Sequence, residues 1–399
     1  MGNKEYGATL EASALFASAV PARRRYGVTG LRTMTILVLC AEENLCNMLA
    51  HYAEALRRRG VRLVCADPKF ARNGDLHEWL RVCPERPSLI WHPESDVPYL
   101  PWGLASVDIP TLCFQVDTYV YTGKRIAWSM LFDFVLVFHP GYESKFRNAG
   151  HAGARFVAHA VDAQQFAGPE MERIYDVGWV GQTIGPIYRM RGPILNELSK
   201  SFRMNNAKRR YSQEEMALTY RQSKIVVNVG RDDYPQDANL RTFEAMASGA
   251  LLLTSLPTEL SEIGLEEGVH FVGYRDVREI VPLVRRYVED EAARRKIAEG
   301  CRHKILGEHT YQQRADTILA LIDRFENERC APARKWPEAR VRLTYLDYFA
   351  GNGALDCAFL ELPRIARESF VEAAVGAGIL TRVWGQRTRA RIRARFARD

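Results

Sequence analysis

The chain is predicted to be α/β, with two Rossmann-like domains facing across a cleft and a helical C-terminal region. Three observations point there. Its 399 residues, 47% hydrophobic and 26% charged, suffice for two large cores. Short apolar runs of buried-strand type alternate with segments of helical spacing. A second such series opens after a pause near residues 157–168.

Thr35 to Cys40 (TILVLC) is the first strand, and Leu45, Met48, Leu49, Tyr52, Ala53 and Leu56 recur behind it at helical spacing. Arg57, Arg58, Arg59 and Gly60 close that helix with the cations and glycine that a C-terminus favours, and Val61 to Ala66 restarts a strand. Further strand runs fall at Ser88 to Trp91, Thr111 to Val116 and Phe132 to Phe138. The second series has a strand at Tyr175 to Val180, a helix at Pro193 to Leu198, a strand at Lys224 to Val229, a helix at Leu240 to Ala247 and a strand at Ala250 to Thr254. Helices follow from Val277. The expected boundaries are an extension over 1–33, a first Rossmann-like domain over 34–168, a second over 169–330 and a helical region over 331–399.

Composition excludes several classes. No uncharged apolar stretch nears the roughly 18 residues of a membrane helix. The eight cysteines contain no C-x-x-C pair and mostly sit in apolar runs, which points to reduced thiols and a cytoplasmic setting. The turn from Ala41 to Asn47 lacks glycine, so no dinucleotide fingerprint is present. The net charge of +7 is concentrated at one end: residues 380–399 hold seven Arg and one Asp, which leaves +1 for the rest. A solvated helix is the first reading of that tail, contact with an anionic membrane the second and a nucleic-acid tail the third.

Lys224 to Thr254 carries the chemistry. Asn239 is a natural N-cap, so first-turn N–H groups of the following helix face a polar loop where Arg241 adds a cation, an arrangement suited to phosphate. Leu240, Phe243 and Ala247 form an inward stripe with Glu244 on or beside it. An unpaired buried carboxylate is costly, so Glu244 either meets a protein donor such as Arg241 or Arg221, or accepts from ligand hydroxyls such as a ribose diol. Gly181 and Gln182 follow the first strand of the second series, with Arg189 and Arg191 downstream as diphosphate ligands, Arg191 the first choice. Arg231 lies on the neighbouring loop. Asp232 and Asp233 lack D-x-D spacing, and no metal is expected. In the first domain Asp117 ends a strand and could orient or deprotonate an acceptor hydroxyl. His92 and His139 each end a strand before a proline, near the same cleft.

The run Asn239 to Thr254 (NLRTFEAMASGALLLT) resembles the signature of CgeB-type (spore-maturation protein) glycosyltransferases, a group similar to retaining glycosyltransferase family 4 and related GT-B enzymes. Ile109 to Asp117, His159 to Phe166 and Tyr175 to Gly181 add weaker likeness. The resemblance implies a bacterial GT-B enzyme that moves a sugar from a nucleotide sugar, with a UDP-sugar preferred, to an acceptor hydroxyl, retaining configuration without a metal or other cofactor. It implies that Glu244 is the second glutamate of an E-x7-E motif and binds ribose. Gln236 stands where the first belongs, and an amide carries no charge to stabilise an oxocarbenium-like transition state. Two other classes stay open: a catalytically impaired nucleotide-sugar binding protein, and an anion-binding adaptor acting through the arginine tail.

Overall fold

The computed structural model describes residues 34–66, 72–95, 97–324 and 331–396. The expected extension over 1–33 lies outside them, as do Cys330 and residues 397–399. The first domain runs β1 (Thr35–Val38), α1 (Met48–Arg58), β2 (Arg62–Cys65), α2 (Leu76–Val82), β3 (Leu89–His92), β4 (Thr111–Gln115), α3 (Thr122–Ser129), β5 (Phe134–Val137), α4 (Tyr142–Asn148) and β6 (Ala154–Phe156). Its six strands are all parallel in the order β2-β1-β3-β4-β5-β6. The order reverses beside β1, and doubly wound sheets bind ligands beyond the carboxyl ends of their strands at such a point.

The second domain holds α5 (Ala163–Phe166), β7 (Tyr175–Gly178), α6 (Arg191–Ser199), α7 (Gln213–Arg221), β8 (Ser223–Asn228), α8 (Leu240–Ala247), β9 (Leu251–Ser255), β10 (Val272–Tyr274), α9 (Ile280–Glu289) and α10 (Glu291–Glu308). Its four parallel strands lie in the order β10-β9-β8-β7. Strand alternation splits β8 and β9 between two cores: Ile225, Val227, Leu251 and Leu253 face one, Val226 and Leu252 the other. Both faces are buried, which is why these strands read as unbroken apolar runs.

The chain then crosses back. Val161 bridges Thr310, and α11 (Tyr311–Arg324) packs on α1, with Tyr52 and Tyr311 rings 5.1 Å apart edge to face. Next, α12 (Glu338–Gly351), α13 (Leu355–Glu368) and α14 (Phe370–Phe396) follow, and Tyr345, Phe349, Ile365 and Leu380 join the core of the first domain. Asp133, fully buried, holds this return in place: its carboxylate accepts from the Thr111 N–H (3.1 Å) and hydroxyl (3.0 Å) and from the Ala331 N–H (3.2 Å), with Arg334 beside it. The seven described cysteines are free thiols, and no described helix is long and apolar enough to cross a membrane.

Arg314 clamps the two strands of the crossing. Its guanidinium donates to the carbonyls of Ala158 (2.8 Å), His159 (3.1 Å) and Glu308 (3.2 Å). Arg314→Met strands buried carbonyls and is expected to cost about 3 kcal/mol, read from urea denaturation; an unchanged midpoint would show that the crossing does not depend on it.

Candidate functional site

Strand carboxyl ends of both sheets supply the cleft residues. Asn239 occupies the N-cap position of α8, but its side chain does not cap. Its amide instead donates to Asn228 Oδ1 and to the Asp237 carbonyl, each at 3.3 Å, which leaves the first turn without a side-chain cap. Leu240 departs from the expected inward stripe: half-buried, it packs with Tyr234 against the core of the first domain.

Glu244 is buried, and its Oε2 has no hydrogen-bond partner among the described residues. Neither expected protein partner reaches it. Arg241 Nε leans on Asn239 Oδ1 (3.4 Å), and Arg221 donates to the Pro169 carbonyl (2.7 Å). Burial pushes the Glu244 carboxyl up to about 7, opposed by the nearby charges of Arg241 and His51.

Arg191 and Arg241 converge beside the loop after β7. Arg191 is buried, donating to the carbonyls of Val229 (2.9 Å) and Gln182 (3.0 Å), with Tyr188 stacked at 3.9 Å. Burial, then repulsion from Arg241, lowers its pKa to about 10. Gly181 has φ of +154°, and a Cβ there would collide with the Arg241 guanidinium, so glycine admits the cation against the loop. Gln182, exposed, fixes this loop by donating to the Ile184 carbonyl (2.9 Å). Arg189 and Arg231 are spent on neighbours: Arg189 pairs with Asp232 at 3.0 Å on the surface, and Arg231 with Asp233 through two bonds of 2.9 Å. Those pairs also engage both aspartates.

The domains meet at a buried cluster that sequence reasoning found only in part. His139 Nδ1 lies 2.9 Å from Glu259 Oε2, and Glu259 also accepts from the Tyr234 hydroxyl (2.5 Å) and the Ala238 N–H (3.2 Å). Tyr234 stacks on Tyr119 at 4.1 Å across the interface. His139 Nε2 has no hydrogen-bond partner among the described residues. Asp237, next to Gln236, completes a trio with His139 and Glu259 in which one ligand-type atom of each lies within 4.8 Å of the others, a geometry able to hold a cation. Burial first, then Glu259 and Asp117, pushes the Asp237 carboxyl up to about 6, against His139 and Arg241. Gln236 is half-buried, and its carbonyl accepts from Glu259 N–H (3.0 Å). Asp237, Glu259 and Tyr234 carried no motif; the buried stretch Asp237-Ala238 ahead of α8 was the available signal.

Asp117 is exposed past the end of β4 and accepts from the Tyr119 hydroxyl at 3.3 Å, which puts it at the interface loop. His92 stands apart from this cluster. Its Nε2 is 3.0 Å from the Tyr348 hydroxyl and its Nδ1 accepts from Glu94 N–H (3.3 Å), while burial lowers its pKa to about 4. Both ring nitrogens are therefore engaged, and the ring is neutral.

Residues 178–320 match the family described as glycosyl transferase-like, a span that covers most of the second domain. No curated protein matches the chain. Solved structures share its architecture. Sucrose-phosphate synthase from Thermosynechococcus elongatus is 14% identical, over 73% of this chain and 99% of that one, with a TM-score of 0.53. HepE from Anabaena, solved with UDP and glucose, is 13% identical over 73% and 99%, at 0.51. A glycosyltransferase from Rickettsia africae is 10% identical over 74% and 100%, at 0.50. Two parallel-sheet domains across a cleft, closed by a returning helix, make this chain GT-B in fold.

Proposed function

We propose that the protein is a glycosyltransferase that moves a sugar from a nucleotide sugar, by preference a UDP-sugar, to an acceptor hydroxyl. The observation that carries this reading is Glu244: a buried carboxylate oxygen with no partner among the described residues, on the helix whose uncapped start carries Arg241, close to Arg191. Ribose hydroxyls would satisfy the carboxylate, and a diphosphate would relieve the repulsion between Arg191 and Arg241. The glycosyl transferase-like match over 178–320 supports it, as does the likeness to HepE, which was solved with UDP-glucose.

Each residue then has a part. Arg241, the start of α8 and the Gly181–Gln182 loop receive the diphosphate, with Arg191 holding that loop in place. Gln236 offers its amide to sugar hydroxyls, and His139 Nε2, fixed by Glu259, does the same. The acceptor oxygen bonds the anomeric carbon as the bond from that carbon to the phosphate oxygen breaks. The electron pair leaves with the nucleoside diphosphate, and the acceptor proton passes to Asp117 or to the departing phosphate. The reaction retains configuration with no side chain as nucleophile and no metal, the arginines and the helix start neutralising the leaving group. His92 positions Tyr348.

Thermal shift against UDP-, GDP- and dTDP-sugars tests the reading, with UDP-sugars expected to stabilise most; no shift with any nucleotide would overturn it. Glu244→Ala should weaken UDP itself at least tenfold, about 1.4 kcal/mol, and an unchanged affinity in a folded variant removes the ribose assignment. Without nucleotide the same residue works against the fold. Its carboxyl sits higher in the folded chain than in an unfolded one, so ionisation costs stability as pH climbs from about 4.5 to about 7 and the loss is constant above. By pH 8 that cost is about 3 kcal/mol. Glu244→Gln is expected to recover most of it in the apo protein at pH 8 and almost none at pH 4.5, as read from unfolding midpoints at the two values.

A further inference from the structure

A second cationic chamber lies outside the donor site. It has a volume of about 640 Å3 and is enclosed by the carboxyl end of β3, the start of α3, the end of α12 and the middle of α14. Four of its lining side chains are Lys124, Arg125, Arg382 and Arg387, set against two carboxylates, Glu94 and Asp347. Arg125 is consumed within the protein: it pairs with Glu94 and donates to Gln115 Oε1 (3.0 Å) and to the Val120 carbonyl (2.8 Å). Lys124 meets Asp347 only at 3.7 Å. Arg382 and Arg387 have no ion pair among the described residues. Arg387 is seated where a Cβ on Gly353, at φ +86°, would stand, so the glycine leaves room for the guanidinium.

A groove of about 710 Å3 shares Lys124, Asp347, Ile379 and Arg382 with this chamber and continues past Trp336 and Leu343. Lys124 and Arg382 therefore stand at a junction between the chamber and a groove whose walls include Met130, Trp336 and Leu343. The surrounding surface has the same character. Among the described residues, six of the thirteen exposed large apolar side chains lie on α13 and α14, among them Phe359 and Trp384 with rings 6.4 Å apart. Such a cluster is unusual on a surface that faces only water.

The loop between β4 and α3 connects the two regions. Tyr119 stacks on Tyr234 at the domain interface, whereas Tyr121, 78% exposed, stands at the mouth of the chamber. Asp117 lies on the same loop. The loop that carries Asp117 thus runs from the domain interface to the start of α3, where Lys124 stands.

We propose that this junction is the acceptor subsite and that it takes a lipid phosphate whose head group carries the acceptor hydroxyl, the phosphate held by Lys124 and Arg382 and the chain laid along Trp336, Leu343 and Ile379. Its role as acceptor site rests on the glycosyltransferase reading; the binding itself does not. Two cations on a phosphate supply charge-assisted hydrogen bonds, and burial of an alkyl chain adds affinity that a free ion lacks.

The test is calorimetric titration of the full chain with octyl phosphate and with inorganic phosphate. Octyl phosphate is expected to bind at least tenfold more tightly. The double variant Lys124→Ala/Arg382→Ala should weaken octyl phosphate at least tenfold, and Ile379→Asn should weaken octyl phosphate while leaving inorganic phosphate unchanged. All three positions are at least partly exposed, and the melting temperature checks folding. No binding of octyl phosphate, or binding untouched by the double variant, overturns the proposal. Equal affinity for the two probes overturns the lipid assignment in favour of a soluble phosphate ester. If octyl phosphate binds as expected while no nucleotide does, the donor reading fails and this site stands.

Discussion

The carboxylate of Glu259 sits almost wholly out of water between the two domains, where an ionised group survives only if its oxygens are met by donors. Here they are met by an imidazole from one domain and a hydroxyl and an N–H from the other. The same contacts fix three things. Tyr234 is turned so that its ring lies flat on Tyr119, Ala238 is pinned one residue ahead of Asn239, and the imidazole of His139 is oriented with Nε2 left over. The closed arrangement of the domains and the position of the α8 start therefore belong to one hydrogen-bonded network.

Donor-site electrostatics contrast with that satisfied network. Arg191 and Arg241 are held near each other by carbonyl contacts and aromatic faces, and Glu244 is buried without a donor. Each is a local loss of stability. Such losses persist where the surrounding structure over-determines the geometry, and they turn into affinity when a ligand of opposite charge and hydroxyl pattern arrives. The signs match the proposed nucleoside diphosphate: cations for its phosphates, a carboxylate for its hydroxyls.

How far the sequence disclosed this follows from what each residue type needs. β1, β4, β5, β8 and β9 announce themselves because both faces of their sheets are covered, which forces continuous apolar runs. Glu244 and the Arg191 region were legible because a carboxylate on an apolar helix face and arginines past a strand end are locally anomalous. The three-residue strands β6 and β10 carry too little pattern to register. The helix α7 went unread although Ser212 and Glu215 form a full capping box at its start. Glu259 passed unmarked, since Glu-Leu-Ser-Glu gives no hint that its first member is buried by a histidine 120 positions earlier. Nor does any local feature record the crossing at Val161 and Thr310, where Arg314 spends its charge on backbone carbonyls from distant segments.

Gln236 shows why spacing along a chain is a weaker guide than position in space. Counting eight residues back from Glu244 reaches an amide, but residues 234–238 form a loop with no helical period to carry that count into geometry. The loop is fixed instead by Tyr234 and Ala238 bound to Glu259, and this sets Asp237 within the His139 cluster, buried and near Arg241. Of the two carboxyl groups there, Glu259 meets three hydrogen-bonding groups, whereas burial raises the Asp237 carboxyl to about 6. The electrostatics at this point of the cleft therefore depend on the domains being closed on one another, because His139 of the first domain faces Asp237 and Glu259 of the second.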